Sequence, residues 1–163
     1  MRATVNSSVL ISLSSIGQLD LLKKKFPEGI LIPKAVWNEV VTTGEGYPGS
    51  KEVAMMNWIT VQEVKDRALA ALLSGDLDEG EAEVIALAKE TGTEVVLLDE
   101  KDARRAAHRM GFKILGTVGV LIWAKRVGTI PNLREQLDNL QMKAKFHLSR
   151  EVYEGALRSV GEL

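Results

Sequence analysis

Short apolar runs alternate with amphipathic helical patterns along this chain, and the alternation restricts it to few fold classes. Five runs have the length of strands: 3–5, 29–32, 58–64, 94–98 and 113–115. Nine further segments have helical spacing: 7–16, 19–25, 51–57, 66–73, 80–90, 101–110, 118–125, 133–141 and 150–160. A tenth predicted helix follows Pro33 and carries Glu39. Strands that alternate with helices form βαβ units, so the chain is predicted to be an α/β protein with a central parallel sheet.

The chain length and a hydrophobic content of 45% suit one domain over residues 1–163, in which 131–163 form a C-terminal helical extension. The chain has no cysteine, which excludes thiol catalysis, disulfides and cysteine-bound metal centres and suits a reducing compartment. The N-terminus lacks the apolar region of a signal peptide, and no apolar run approaches the roughly 20 residues that span a bilayer. We therefore expect a soluble, cytoplasmic protein without a membrane partner.

Charge is distributed unevenly along the chain, although the net charge is only −1. Residues 100–126 contain seven Lys or Arg against two acids, and residues 76–83 contain five acids and no base. An acidic centre beside a basic shoulder is the arrangement that a metal-dependent phosphodiesterase requires, although mixed charge on helices is more often a solvated face. Lys101, Arg104 and Arg105 are the cations that would steer a nucleic-acid backbone.

Polar residues follow two of the predicted strands directly: Asn6 after the first, and Asp99 after the fourth. The carboxyl ends of parallel strands form the binding crevice of open α/β sheets. Glu81 lies at the start of the helix that precedes the strand ending at Asp99, and equal lengths of the two elements bring both carboxylates to one edge. The spacing to Val84 and Ile85 places Glu81 on the apolar face, which Glu83 does not share. A carboxylate on the apolar face is costly to leave unpaired, so a cation or a basic partner should lie close to Glu81. A cluster of carboxylates at this edge suggests a divalent metal ion and phosphate chemistry.

Helix capping is an alternative explanation for each of these residues. Asp78 and Glu81 have the spacing of a capping box, Asp99 has the position of a cap for the next helix, and Asn6 the position of a cap for the first. Glu39 lies some six residues into its helix, so spacing alone leaves it outside the cluster. The two histidines, His108 and His147, lack zinc-ligand spacing and are predicted to lie on the surface.

Four segments in sequence order carry a family resemblance. They are Val5-Asn-Ser-Ser-Val-Leu-Ile11, Ile32-Pro-Lys-Ala-Val-Trp-Asn-Glu39-Val-Val, Gly80-Glu81-Ala-Glu-Val-Ile-Ala-Leu-Ala88 and Val96-Leu-Leu-Asp99-Glu-Lys-Asp-Ala-Arg-Arg105. Together they resemble the PIN domain family, most closely its archaeal and bacterial branch related to VapC-type toxins. The resemblance implies a three-layer, Rossmann-like α/β/α sandwich and a metal-dependent endoribonuclease that acts on single-stranded RNA. It also implies a homodimer and an antitoxin protein as a partner.

The resemblance also assigns residues to roles. Asn6, Glu39, Glu81 and Asp99 match the four positions that bind Mg²⁺ or Mn²⁺, and Ser8 matches a hydroxyl that assists near the first of them. Glu100 is a reserve ligand. Asn6 departs from the family pattern because an amide oxygen brings no charge to the metal.

Two other functions remain open on the sequence. The chain is alternatively a PIN-fold module that binds RNA or a protein with weak or no catalysis, for which Asn6 is the main support. It is alternatively a metal-dependent phosphatase on a doubly wound sheet. A dinucleotide-binding protein and a serine hydrolase are disfavoured because the chain has neither a G-x-G-x-x-G turn after its first strand nor a G-x-S-x-G elbow.

Overall fold

The computed structural model describes residues 1–163 and contains one five-stranded sheet and ten α-helices. The strands are β1 (Ala3–Val5), β2 (Ile30–Pro33), β3 (Ile59–Gln62), β4 (Val95–Leu97) and β5 (Lys113–Leu115). The helices are α1 (Ser7–Ser15), α2 (Asp20–Lys25), α3 (Lys34–Trp37), α4 (Ser50–Met55), α5 (Arg67–Leu73), α6 (Glu79–Thr91), α7 (Lys101–Arg109), α8 (Thr117–Arg126), α9 (Leu133–Lys143) and α10 (Arg150–Ser159). A π-helical segment, Asn38–Thr42, continues α3.

All neighbouring strands are parallel, in the order β3-β2-β1-β4-β5. The central strand is β1, in which Thr4 pairs with Leu31 of β2 and with Val96 of β4. The chain therefore winds outwards from β1 in both directions, and the carboxyl ends of β1 and β4 are neighbours where the winding reverses. Such a switch point is the usual binding crevice of an open α/β sheet. The predicted parallel sheet is confirmed.

Helices cover both faces of this sheet. On one face α6 packs against β1, β2 and β4 and contacts α5 and α7. On the other face α1 contacts α8 and α9, α2 contacts α8, and α10 packs on both α8 and α9. The three-layer α/β/α architecture is thus confirmed. None of the helices combines the length and the apolar character needed to cross a membrane.

Helix α6 is buried on all sides from Gly80 to Ala88, because α3, α5 and α7 cover the surface that the sheet leaves free. The sequence places Glu83 off the apolar face, yet this residue is only 4% exposed. One oxygen of its carboxylate accepts a hydrogen bond from Ala35 N, and the other pairs with Arg67 at 3.1 Å. Glu83 therefore joins α6 to the starts of α3 and α5.

Residues 131–163 pack on the same hydrophobic cluster as the strands, through leucines that include Leu133 and Leu157. The carboxylate of Glu162 lies at the first turn of α9, where it accepts hydrogen bonds from Leu133 N at 2.7 Å and Arg134 N at 3.1 Å. Burial raises the pKa of Glu162, but these two hydrogen bonds and Lys125 at 3.5 Å outweigh it and hold the pKa below its usual range. The charged carboxylate thus fixes the start of α9.

Gly29 lies where the chain enters β2, and no larger residue fits there. Its φ is +96°, and a Cβ would stand 2.6 Å from the backbone oxygen of Trp58. We expect Gly29→Ala to lower the free energy of unfolding by about 3 kcal/mol, because it adds backbone strain to a clash with the next strand. The melting temperature should fall by about 6–12 °C in a thermal melt.

Gly17→Ala is the matched control for that variant. Gly17 also has a positive φ, of 71°, but no atom lies within 4 Å of its Cβ position. Gly17→Ala should therefore lower the free energy of unfolding by about 1 kcal/mol, which is the cost of the backbone strain alone. Equal losses for the two variants would show that the contact with Trp58 carries no cost.

Candidate active site

The carboxyl edge of the sheet brings together residues from distant parts of the chain. Asn6 directly follows β1, and its backbone N–H donates to Leu97 O of β4 at 3.1 Å. Asp99 follows β4 two residues later. The sheet pairing therefore sets the neighbourhood of Asn6 and Asp99, as the sequence predicts.

Asp99 is held by three hydrogen bonds at this edge. Its Oδ1 accepts from Thr117 N at 2.8 Å, and its Oδ2 accepts from Ser8 Oγ at 3.0 Å and Thr117 Oγ1 at 2.8 Å. Asp99 thus caps the start of α8. The capping alternative predicted a different helix, α7, whose N-cap is Glu100 and has no side-chain hydrogen bond. A carboxylate has about four lone-pair sites, so one position on Oδ1 is left for a ligand.

Asn6 is buried without a partner. It is 5% exposed, its side-chain amide makes no hydrogen bond within the chain, and α1 has no side-chain cap. Asn6 therefore occupies the N-cap position of α1, as the capping alternative predicted, but its side chain does not cap the helix. Its Oδ1 lies 3.2 Å from the point where a Cβ of Gly80 would stand, and Asp78 Oδ1 lies 3.6 Å from the same point. The glycine leaves room for an amide and a carboxylate to approach each other at the start of α6.

Glu81 is buried in an acidic environment. It is 6% exposed, and its side chain makes one hydrogen bond, which Oε1 accepts from Asp78 N at 3.1 Å. Glu81 N in turn donates to Asp78 Oδ1 at 2.7 Å, so the predicted capping box is confirmed. Burial raises its pKa above the usual range; the hydrogen bond from Asp78 N opposes this, and the charges of Asp78, Glu100 and Asp102 add to it. No cation pairs with Glu81, and a bound metal ion would relieve this repulsion.

Glu39, the fourth predicted ligand, lies at the surface. It lies in the π-helical segment that continues α3, is exposed, and makes no hydrogen bond or ion pair through its side chain. The helix predicted around Glu39 is therefore α-helical only up to Trp37. Irregular helical turns of this kind often occur at functional sites. Glu39 does not contribute to the charges around Glu81.

A cleft of about 960 Å³ opens beside Asp99. Ser8, Glu100, Lys101 and Arg104 lie along it next to Asp99. A second, acidic pocket contains Glu81, Asp78 and Asp102 and shares Glu100 and Lys101 with the cleft. Glu81 and Asp99 thus lie at one edge but in adjoining pockets.

The predicted RNA-binding cations differ in their surroundings. Arg104 is half-buried and donates from Nη1 to Leu98 O at 2.8 Å, whereas Lys101 and Arg105 are exposed on α7. A Cβ on Gly116 would stand 2.8 Å from Arg104 Nη1 and 3.0 Å from Asp99 Oδ1. The glycine therefore lets a guanidinium and a carboxylate share one corner of the cleft.

Thr117 and Gly116 are the residues of this site that the sequence reasoning missed. Gly116 directly follows the predicted strand 113–115 and Thr117 is the next residue, so the same positional signal, the carboxyl end of a strand, would have found them. His108 and His147 are exposed, as predicted.

The residues at this edge suit a divalent ion that keeps part of its hydration shell, rather than an ion that is fully enclosed by protein ligands. No three acidic or histidine side chains converge on one point. The unpartnered amide of Asn6, with Asp78 and Glu81 near it, offers the hard oxygen donors that both ions prefer. Mg²⁺ usually keeps several waters and binds through one or two carboxylates and the substrate's phosphates, which this set allows.

Comparison with known proteins agrees with the fold. A family model described as a PIN domain matches residues 2–162, which is nearly the whole chain. A search of curated proteins found no significant match. The matched region contains all five strands and every residue of the carboxyl edge described above. The chain belongs to the PIN domain family.

Proposed function

We propose that the protein is a metal-dependent endoribonuclease that hydrolyses single-stranded RNA. PIN domains have a nuclease-type fold. The observation that supports catalysis in this chain is the geometry of Asp99: three hydrogen bonds orient its carboxylate, which lines a cleft together with Lys101 and Arg104. Oriented carboxylates beside cations are the groups that a phosphodiesterase needs.

The metal ligands in this proposal are Asn6, Glu81 and Asp99, with Glu39 as a fourth. A bound Mg²⁺ or Mn²⁺ would lower the pKa of a water molecule that it holds, and its own positive charge would stabilise the negative charge on the phosphate. Ser8 and Thr117 hold the Asp99 carboxylate in one orientation, as supporting residues do around metal ligands. Glu100 is a reserve ligand.

The cations of α7 would bind the RNA backbone. Lys101 lies at the mouth of both pockets, Arg104 lies in the corner beside Asp99, and Arg105 extends the basic surface along the helix. Their contribution should weaken as salt rises. We further propose that the protein is a toxin that pairs with an antitoxin protein and forms a homodimer, which rests on the family resemblance alone.

The direct test is cleavage of a labelled single-stranded RNA with Mn²⁺, with Mg²⁺ and with EDTA. Small phosphate esters are assayed in parallel. Cleavage of RNA that requires the metal ion supports the proposal. Turnover of the small esters without RNA cleavage would instead favour the metal-dependent phosphatase.

A non-catalytic RNA- or protein-binding module is the second candidate, and uncharged Asn6 favours it. We expect Asn6→Asp to raise Mn²⁺ affinity by about tenfold, because it adds a charged oxygen beside Glu81. The same charge should lower the melting temperature of the metal-free protein by several degrees, since it is buried near like charges. Isothermal titration calorimetry and thermal melts with and without Mn²⁺ measure both effects.

Asn57→Asp is the control, because Asn57 is an exposed asparagine outside the site. It should leave both quantities unchanged. Absence of Mn²⁺ binding in both the wild type and Asn6→Asp would favour the non-catalytic module.

A further inference from the structure

Residues 144–148, which we call the strap, form a second part of the wall of the cleft that α7 also lines. The strap links α9 to α10, and all five of its residues line the cleft that contains Asp99. Exposure alternates along it: Lys145 and His147 are exposed, whereas Phe146 and Leu148 pack on the hydrophobic core. The two apolar residues therefore anchor the strap, and the two polar ones stay available to a molecule in the cleft.

Lys145 has an unusual backbone. Its φ is 53°, and it is the only non-glycine residue of the chain with a positive φ. Glycine or asparagine would take this conformation at lower cost. Two hydrogen bonds hold the turn, because Ala144 N and Phe146 N both donate to Leu140 O, at 3.2 Å and 3.0 Å. The backbone thus fixes a lysine at the edge of the cleft.

Three cations that line the cleft have no ion-pair partner in the protein. Lys101 and Arg104 of α7 and Lys145 of the strap form no ion pair with any carboxylate. Apolar side chains line the same cleft: Ile114, Leu115, Val118, Phe146 and Val152. Cations without an ion-pair partner beside an apolar surface suit a nucleotide, whose phosphate needs the cations and whose base needs the apolar contact.

We propose that the strap binds the phosphate backbone of single-stranded RNA through Lys145 and His147, so that the strand passes between the strap and α7 to reach Asp99. This inference rests on the proposed function, which it deepens by naming the second wall of the substrate cleft. It places part of RNA recognition in the C-terminal helical region, outside the four segments that resemble the family. The cleft volume, about 960 Å³, is large enough for a nucleotide.

The first experiment measures RNA binding without metal ions, so that cleavage cannot affect it. Fluorescence anisotropy of a labelled single-stranded RNA in EDTA gives the affinity at several salt concentrations. Lys145→Gln should weaken binding about fivefold and reduce the slope of log K against log salt by about 0.7, because one phosphate contact is lost. His147→Gln should weaken binding by a smaller factor. Lys89→Gln, at the opposite edge of the sheet and equally exposed, should change neither quantity.

The second experiment locates the RNA directly. Single-stranded RNA with 4-thiouridine is cross-linked to the wild-type protein, and digestion with mass spectrometry should identify adducts in the peptides that contain residues 144–149. Adducts confined to other surfaces would overturn the proposal. Wild-type affinity and salt slope in Lys145→Gln would overturn it as well, as would absence of RNA binding by the wild type.

The outcomes separate the strap from the nuclease activity. RNA bound at the strap without cleavage in Mn²⁺ would support the strap and contradict the nuclease. Cleavage by a wild type whose RNA affinity does not depend on Lys145 or His147 would support the nuclease and contradict the strap.

Discussion

Asp99→Asn is expected to reduce Mn²⁺-dependent cleavage of single-stranded RNA by at least about 100-fold. The carboxylate accepts hydrogen bonds on both oxygens, from Ser8 Oγ and from the N–H and Oγ1 of Thr117. An amide can keep its oxygen on Thr117 N while its NH₂ group donates to the two hydroxyls, because a hydroxyl accepts as well as donates. The variant therefore loses the negative charge that the proposed metal ligand needs, with little change in orientation.

Steady-state cleavage rates measure the loss, and a thermal melt shows whether the cap of α8 has also weakened. Asp20→Asn is the matched control, because Asp20 is an exposed aspartate at the start of α2, outside the site. The control should cleave as the wild type does. If Asp99→Asn cleaves RNA at the wild-type rate, Asp99 has no part in the mechanism.

Glu81→Gln should separate the structural role of Glu81 from its proposed role as a ligand. Glutamine also completes a capping box, so the hydrogen bond from Asp78 N is retained. Only the charge is removed. We expect Mn²⁺ affinity to fall at least about tenfold and cleavage to fall with it, while the metal-free protein becomes more stable.

The sign of the stability change follows from the raised pKa of Glu81. Burial, together with the charges of Asp78, Glu100 and Asp102, raises this pKa in the folded state above its value in the unfolded chain. The ionised form therefore costs folding free energy at high pH, and the cost disappears as pH falls below the unfolded value of about 4.3. Glu81→Gln should raise the melting temperature by a few degrees at pH 8 and leave it unchanged near pH 4.

Thermal melts in EDTA across this pH range, with calorimetry for Mn²⁺, measure both effects. A lower melting temperature at pH 8 would show that the Glu81 charge stabilises the fold. Unchanged Mn²⁺ affinity would remove Glu81 from the set of ligands and leave it a helix cap.

The strands and helices could be predicted well from the sequence because the patterns that specify them lie within a few consecutive residues. Strand and helix ends lie within two residues of the predicted ones for all elements except the helix that follows Pro33. The capping box at Asp78 was readable because it depends on two residues three positions apart. The positions of Asn6 and Asp99 were predictable because both lie at the carboxyl ends of neighbouring parallel strands: Asn6 is the first residue after β1, and Asp99 is the second after β4.

Most of the features that could not be predicted from the sequence depend on contacts between elements that are distant along the chain. Glu83 is buried because three helices cover α6, and helical spacing describes only the face towards the sheet. Thr117 meets Asp99 because β4 and β5 are paired in one register. The π-helical turn at Glu39 has no pattern in the sequence that would distinguish it from an α-helix.

The hydrogen bonds from Ser8 and Thr117 to Asp99 determine when the proposed nuclease site forms during synthesis of the chain. Their residues are separated by 91 and 18 positions, and the strap adds a wall some 30 positions further along. A chain still on the ribosome lacks an oriented Asp99 until α8 has emerged, and it lacks a closed groove until α10 follows. In the proposed mechanism, an incompletely synthesised chain does not cleave the mRNA from which it is being translated.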